Sequence, residues 1–148
     1  MTTTISESQT FTITEEIAVR ASLEQTFQSL VANLGRLNQT PEGSPLPMVL
    51  EPRPGGRLYR DLAGDDGHLW GFVQSIKRPV LLEIWGPLFM STAATSNLLY
   101  RLSETPSGTL ITFTHTLVGP FPEDHRPRLA SGWTALHARV RQDAESAQ

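Results

Sequence analysis

The 148 residues amount to one domain, which at that size buries roughly 68–70% of the surface its unfolded chain exposes. With 39% hydrophobic and 18% charged residues and a net charge of −3, the composition is that of a globular protein, and twelve Lys and Arg against fifteen Asp and Glu offer nothing to a nucleic acid. The absence of cysteine excludes disulfides, thiolate chemistry and cysteine-held metals, and no apolar run approaches the ~20 residues needed to span a bilayer.

The opening MTTTISESQT has neither a basic n-region nor an apolar stretch, so no secretory signal is expected and the cytoplasm is the default compartment. Residues 1–9 are expected to be flexible. From Thr10 to Ala21 apolar residues alternate through Phe11, Ile13, Ile17 and Val19, which predicts a first strand, and Glu15-Glu16 reads as a break suggesting a bulge. Ser22 then opens S-L-E-Q, a capping box in which its hydroxyl accepts from the Gln25 N–H and the Gln25 side chain reaches back. Leu23, Phe27, Leu30, Val31 and Leu34 follow at helical spacing up to Gly35, a candidate C′ residue.

Residues 35–56 are rich in Gly, Pro, Ser and Asn, leaving room for a short strand at Met48 to Glu51. Strand-like runs then follow: Arg57 to Ala63, His68 to Lys77, Val80 to Trp85, Thr95 to Ser103 and Thr109 to Val118. Turn-forming stretches separate them, which predicts an antiparallel meander. From Pro122 to Glu145 the helical period returns. Leu129, Trp133, Leu136 and Val140 form one stripe, with Arg126, Arg128, Arg139 and Arg141 read as a solvated face. The order implies an α+β fold in which a curved antiparallel sheet is covered by the terminal helix.

The chemistry-bearing residues form no catalytic signature. Asp61, Asp65 and Asp66 lack EF-hand spacing, and a type I′ turn at Asp66-Gly67 is the expectation there. The four histidines show no i, i+4 pair and no HExxH, so no metal is expected, and no G-x-S-x-G is present. His115 continues the alternation Ile111, Phe113, His115, Leu117, which aims its imidazole into the core, where it needs a hydrogen-bond partner. His68 leaves a turn and is expected to be exposed. On the next strand, Trp70 and Phe72 share one parity, with Leu69, Gly71 and Val73 as the equally acceptable alternative inner face.

PGGR at 54–57, DGHLWGFV at 66–73, the strand from Pro79 to Trp85, GTLITFTH at 108–115 and GW at 132–133 resemble, in order and spacing, the signatures of the SRPBCC superfamily. The similarity is greatest to the branch named for the activator of Hsp90 ATPase homologue 1, and it covers nearly all of one domain spanning 1–148. The resemblance implies the helix-grip fold of START and Bet v 1 proteins: about seven antiparallel strands wrapped around a long C-terminal helix, with a small helix or helices between the first two strands. The segment GRLNQTPEGSPLP, where relatives often carry a second small helix, reads as a loop.

The function expected on these grounds is the binding of a small hydrophobic or aromatic molecule between sheet and helix. Its walls would be Trp70, Trp85, Tyr100, Phe113 and Trp133, its polar anchor His115, and its entrance Phe89 and Met90. No cofactor, nucleic acid or membrane partner is expected. An enzyme of the polyketide cyclase or dehydratase kind would need a proton-transfer group in that cavity, for which His115 is the first candidate and Tyr59 or Tyr100 the next. A protein-interaction role, as a homodimer or with an Hsp90-type chaperone by family analogy, would use the apolar segment GPLFMSTAA.

Overall fold

The computed structural model describes residues 2–3 and 9–147, so most of the expected flexible segment 1–9 lies outside the described residues. Strand β1 (Gln9–Val19) runs antiparallel to β7 (Gly108–Gly119) in unbroken register from Gln9 opposite Gly119 to Val19 opposite Thr109. The bulge expected at Glu15-Glu16 does not form. Glu15 instead shares the parity of Phe11, Ile13, Ile17 and Val19 and occupies the inner row, with the even positions exposed.

Helix α1 (Leu23–Leu34) starts where the cap predicts: the Gln25 N–H donates to Ser22 Oγ at 3.1 Å. The reciprocal half of the box is absent, since Gln25 Nε2 donates to the Ala147 carbonyl, at 3.4 Å, beside the C-terminal helix. Gly35 ends the helix, its N–H shared between the Val31 and Ala32 carbonyls, without the left-handed backbone of a Schellman turn. Ser22→Ala removes the acceptor for the Gln25 N–H, and urea unfolding is expected to report a loss of about 1 kcal/mol.

Residues 35–47 form a loop pinned by a bridge between Gln39 and Pro45 and by Leu46 N–H to Asn38 O at 2.8 Å, as the Pro- and Gly-rich composition predicts. The meander continues through β2 (Val49–Leu50), β3 (Arg57–Asp61), β4 (Gly67–Lys77), β5 (Leu81–Gly86) and β6 (Thr95–Thr105), giving a seven-stranded antiparallel sheet in the order β1-β7-β6-β5-β4-β3-β2. The turn before β4 is centred on Gly64-Asp65, both left-handed and closed by Asp66 N–H to Ala63 O, two residues earlier than the Asp66-Gly67 expectation. Gly67 belongs to the strand. A Cβ there would lie 2.1 Å from the Arg60 carbonyl oxygen.

After a single 3-10 turn at Glu123–His125, helix α2 (Arg126–Ser146) lies across the inner face of the sheet. The expected stripe of Leu129, Trp133, Leu136 and Val140 is buried, each such side chain contributing about 1.5–3 kcal/mol on removal from water. His137 and Ala144 are buried with them. Helix α1 closes the far end, with Ser29 Oγ donating to Val140 O at 2.7 Å and Asn33 Nδ2 to Asp143 Oδ2 at 3.0 Å. This is the helix-grip architecture.

Candidate ligand cavity

The sheet and α2 do not meet along their whole length. Beside the N-terminal half of α2 lies a cavity of about 540 Å³, within the size range of small-molecule sites. Leu129, Trp133 and Leu136 form its helix wall, Trp70, Phe89 and Met90 face them, and the loop around Pro41 closes one side.

Trp70 reaches the cavity because of a bulge. Leu58 pairs with Gly71 and Tyr59 with Leu69, so Trp70 is the unpaired residue and is re-aimed away from the face that strict alternation would give it. Phe72 stays on the outer face, where its ring lies 5.5 Å from that of Trp85, while Gly71 and Val73 turn inward. Trp70 and Phe72 therefore do not share a face. Gly71 and Gly86 permit the close approach of β4 and β5 beside the bulge, since a Cβ on Gly86 would lie 2.4 Å from the Trp70 carbonyl oxygen.

The same carbonyl holds the wall opposite the helix, because the Leu88 N–H donates to Trp70 O at 2.7 Å. That bond straps the segment after β5 to the bulge and sets the Phe89 ring 5.6 Å from Trp70, edge to face. Leu88, Met90 and Ala94 are buried, while Phe89, 44% exposed, stands at the mouth and Ala93 is exposed. The apolar patch expected of GPLFMSTAA is thus largely turned inward.

Of the expected wall residues, the structure brings Trp70, Phe89, Met90 and Trp133 together around the cavity. Trp85 stands on the outer face, 46% exposed. Tyr100, Phe113 and His115 are fully buried beneath α2, behind Trp133, and do not line the cavity. The Trp133 indole packs 5.1 Å from the Phe113 ring, and its N–H donates to His115 Nδ1 at 2.9 Å. An indole nitrogen can only donate, so Nδ1 must accept, and the proton of the neutral imidazole sits on Nε2, which faces Ser96 Oγ at 2.8 Å. Burial pushes the His115 pKa down from 6.5 to about 4. Both ring nitrogens are occupied, so His115 orients the wall residue Trp133 and has no edge left for a ligand.

A second polar chain, buried at Tyr100 and His137 and reaching the surface at Glu15 and Thr134, was not foreseen from the sequence. His137 Nδ1 lies 2.8 Å from Glu15 Oε1, Glu15 Oε2 accepts from Thr134 Oγ1 at 2.8 Å, and the Tyr100 hydroxyl lies 2.9 Å from His137 Nε2. A carboxylate can only accept, so His137 donates through Nδ1 and receives the phenol proton at Nε2. Burial lowers the His137 pKa and outweighs the Glu15 hydrogen bond, which works in the opposite direction. Burial, then the Glu15 charge, raises the Tyr100 pKa well above its ordinary value of 10. Two signals carried this chain: the parity of Glu15 with the inner row of β1, and the placement of His137 four residues after Trp133, on the same helix face.

The arginines depart from a uniformly solvated face. Arg126 lies over the Phe11 ring at 4.4 Å, whereas Arg128, Arg139 and the exposed His125 line the cavity. Among the described residues no group of three or more His, Cys, Asp or Glu could hold a metal, and no helix is long and apolar enough to cross a membrane.

No family model and no curated protein sequence matches the chain. Solved structures do. An uncharacterised protein from Rhizobium leguminosarum superposes with a TM-score of 0.75 at 19% identity, over 97% of this chain and 99% of that one. Ara h 8.0201 follows at 0.67 and 15%, over 93% and 99%. The di-domain ARO/CYC protein StfQ from the steffimycin biosynthetic pathway gives 0.66 at 10% identity, over 93% of this chain and 51% of that one. What the chain shares with all three is the fold, a curved antiparallel sheet gripping a long C-terminal helix.

Proposed function

We propose that this chain is a cytoplasmic, one-domain member of the SRPBCC superfamily, of the branch named for the activator of Hsp90 ATPase homologue 1, and that it binds a small hydrophobic or aromatic molecule beside α2. The observation that carries the reading is the unfilled volume of about 540 Å³ walled by Trp70, Phe89, Met90 and Trp133. These four are the ligand contacts, and Phe113 and His115 act through Trp133. The order of PGGR, DGHLWGFV, GTLITFTH and GW along the chain supports the superfamily and the branch. Binding is favoured over catalysis because the groups considered for proton transfer do not line the cavity: His115 is held by Ser96 and Trp133, Tyr100 by His137, and Tyr59 lies under the Arg57 guanidinium. Ligand binding is favoured over a role in a homodimer or with an Hsp90-type partner because the segment that would dock is folded into the cavity wall.

Neutral phenylnaphthylamine, whose emission rises in an apolar, water-poor site, tests the reading. Saturable enhancement is expected at one equivalent, with energy transfer from the cavity tryptophans Trp70 and Trp133. A linear, unsaturable response up to the solubility limit of the probe counts against a ligand cavity.

A further inference from the structure

The charge around the cavity is one-sided. Arg128 and Arg139 line it, and among the described residues no Asp or Glu does, although acidic residues outnumber basic ones fifteen to twelve in the chain. Arg128 and Arg139 are eleven residues apart on α2, which places them about 20° apart around the helix and about 16 Å apart along it, one at each end of the cavity wall.

The two are not equivalent. Arg128 is exposed, where water already satisfies a guanidinium. Arg139 is partly buried between α2 and the loop at 38–41, and of its five N–H donors one reaches the Gln39 carbonyl, at 3.4 Å, while the buried Nε has no hydrogen-bond partner among the described residues. The carboxylate that could have answered it, Asp143 one turn on, accepts from Asn33 Nδ2 at 3.0 Å. Burial lowers the Arg139 pKa and the Asp143 charge only partly offsets this. A desolvated guanidinium with unspent donors at the wall of an apolar cavity is costly by itself, and the planar fork of an anionic head is the group that satisfies it.

We propose that the ligand is an amphiphile with a single anionic head of carboxylate type, its apolar body lying along Trp133 and Leu136 and its head against Arg139. This rests on the cavity being the ligand site. It adds a charge requirement that the apolar walls alone do not impose.

Naphthoate and its neutral near-isostere naphthamide separate the two ideas, measured by calorimetry and by displacement of phenylnaphthylamine. Naphthoate is expected to bind about tenfold or more tightly than naphthamide at neutral pH, the scale of a charge-assisted hydrogen bond, and to weaken on addition of salt. Arg139→Gln is expected to reduce naphthoate binding about tenfold and naphthamide binding less than about twofold, with Arg139→Lys intermediate and Arg141→Gln, on the exposed face, unchanged. Equal affinities of the wild-type protein for the two compounds would overturn the charge requirement while leaving the cavity reading intact, and that comparison needs no variant to fold. Equal losses for both compounds in Arg139→Gln would overturn it too, by giving Arg139 a purely structural role. If phenylnaphthylamine also fails to bind, the failure is that of the cavity itself.

Discussion

Lowering the pH from about 7 to about 4 is expected to cost the fold about 3 kcal/mol through His115 alone. The imidazole is fully buried, donates or accepts at both nitrogens, and has its pKa pushed down from 6.5 to about 4 by desolvation. In the window between those values the unfolded chain binds the proton that the folded chain refuses. The contribution is therefore complete above pH 6.5, erodes as the pH falls, and is spent below about pH 4; the gap between the two values, at about 1.4 kcal/mol per pH unit, gives the figure. His137 acts with the same sign, since burial lowers its pKa as well. Urea unfolding of the wild type and of His115→Asn, which keeps an acceptor for the Trp133 N–H and cannot titrate, isolates the effect from the carboxylates. The wild type is expected to be the more stable at neutral pH and to lose that lead toward pH 4. Parallel pH profiles, or an NMR titration of His115 near 6.5, would show that its ring is not held neutral by the core.

The same residue shows what can and cannot be read from a chain of letters. Its inward aim followed from alternation with Ile111 and Phe113, and the structure keeps all three in the core. Its role did not follow, because the partner that takes its Nδ1 sits on α2, eighteen residues later, and only packing decides which indole meets which ring. The helix stripe, the cap at Ser22 and the order of the strands were legible because each is a local period or a local hydrogen bond. The misreadings arose where a local pattern was overruled from a distance. Trp70 left its parity because β3 and β4 are out of step by one residue at Leu58/Tyr59, a fact of pairing that β4 does not carry by itself. Glu15 reads as an interruption because a carboxylate in an inner row looks like an error until His137 and Thr134 are placed against it. For Trp85 a signal was present, since it shares parity with Glu83 while Leu82 and Ile84 fill the core row. Arg139 hid in the stripe edge, where a long cation is ordinarily solvated, because its contact with the Gln39 carbonyl comes from a loop distant in sequence.

Gly132 gives the largest expected effect on ligand binding. It lies within α2 one turn after Arg128, it lines the cavity, and a Cβ placed on it would meet nothing nearer than Pro41 Cγ at 3.9 Å. Glycine inside a helix is destabilising by about 0.8–1 kcal/mol relative to alanine, and the space at this position is not needed to avoid a clash. The cost is explained if the missing side chain is what keeps the cavity open. Gly132→Trp grows an indole into that space, so phenylnaphthylamine affinity is expected to fall about thirtyfold or more. The melting temperature should hold or rise by about 1–2 °C, because helix propensity improves by about 0.5 kcal/mol. Gly132→Ala, which adds one methyl group, should share the stabilisation and keep most of the binding. Loss of stability in both variants would mean that the loop at Pro41 packs against the bare helix backbone and that the glycine serves the fold. A stabilised Gly132→Trp that still binds the probe at full strength would move the ligand out of this cavity altogether.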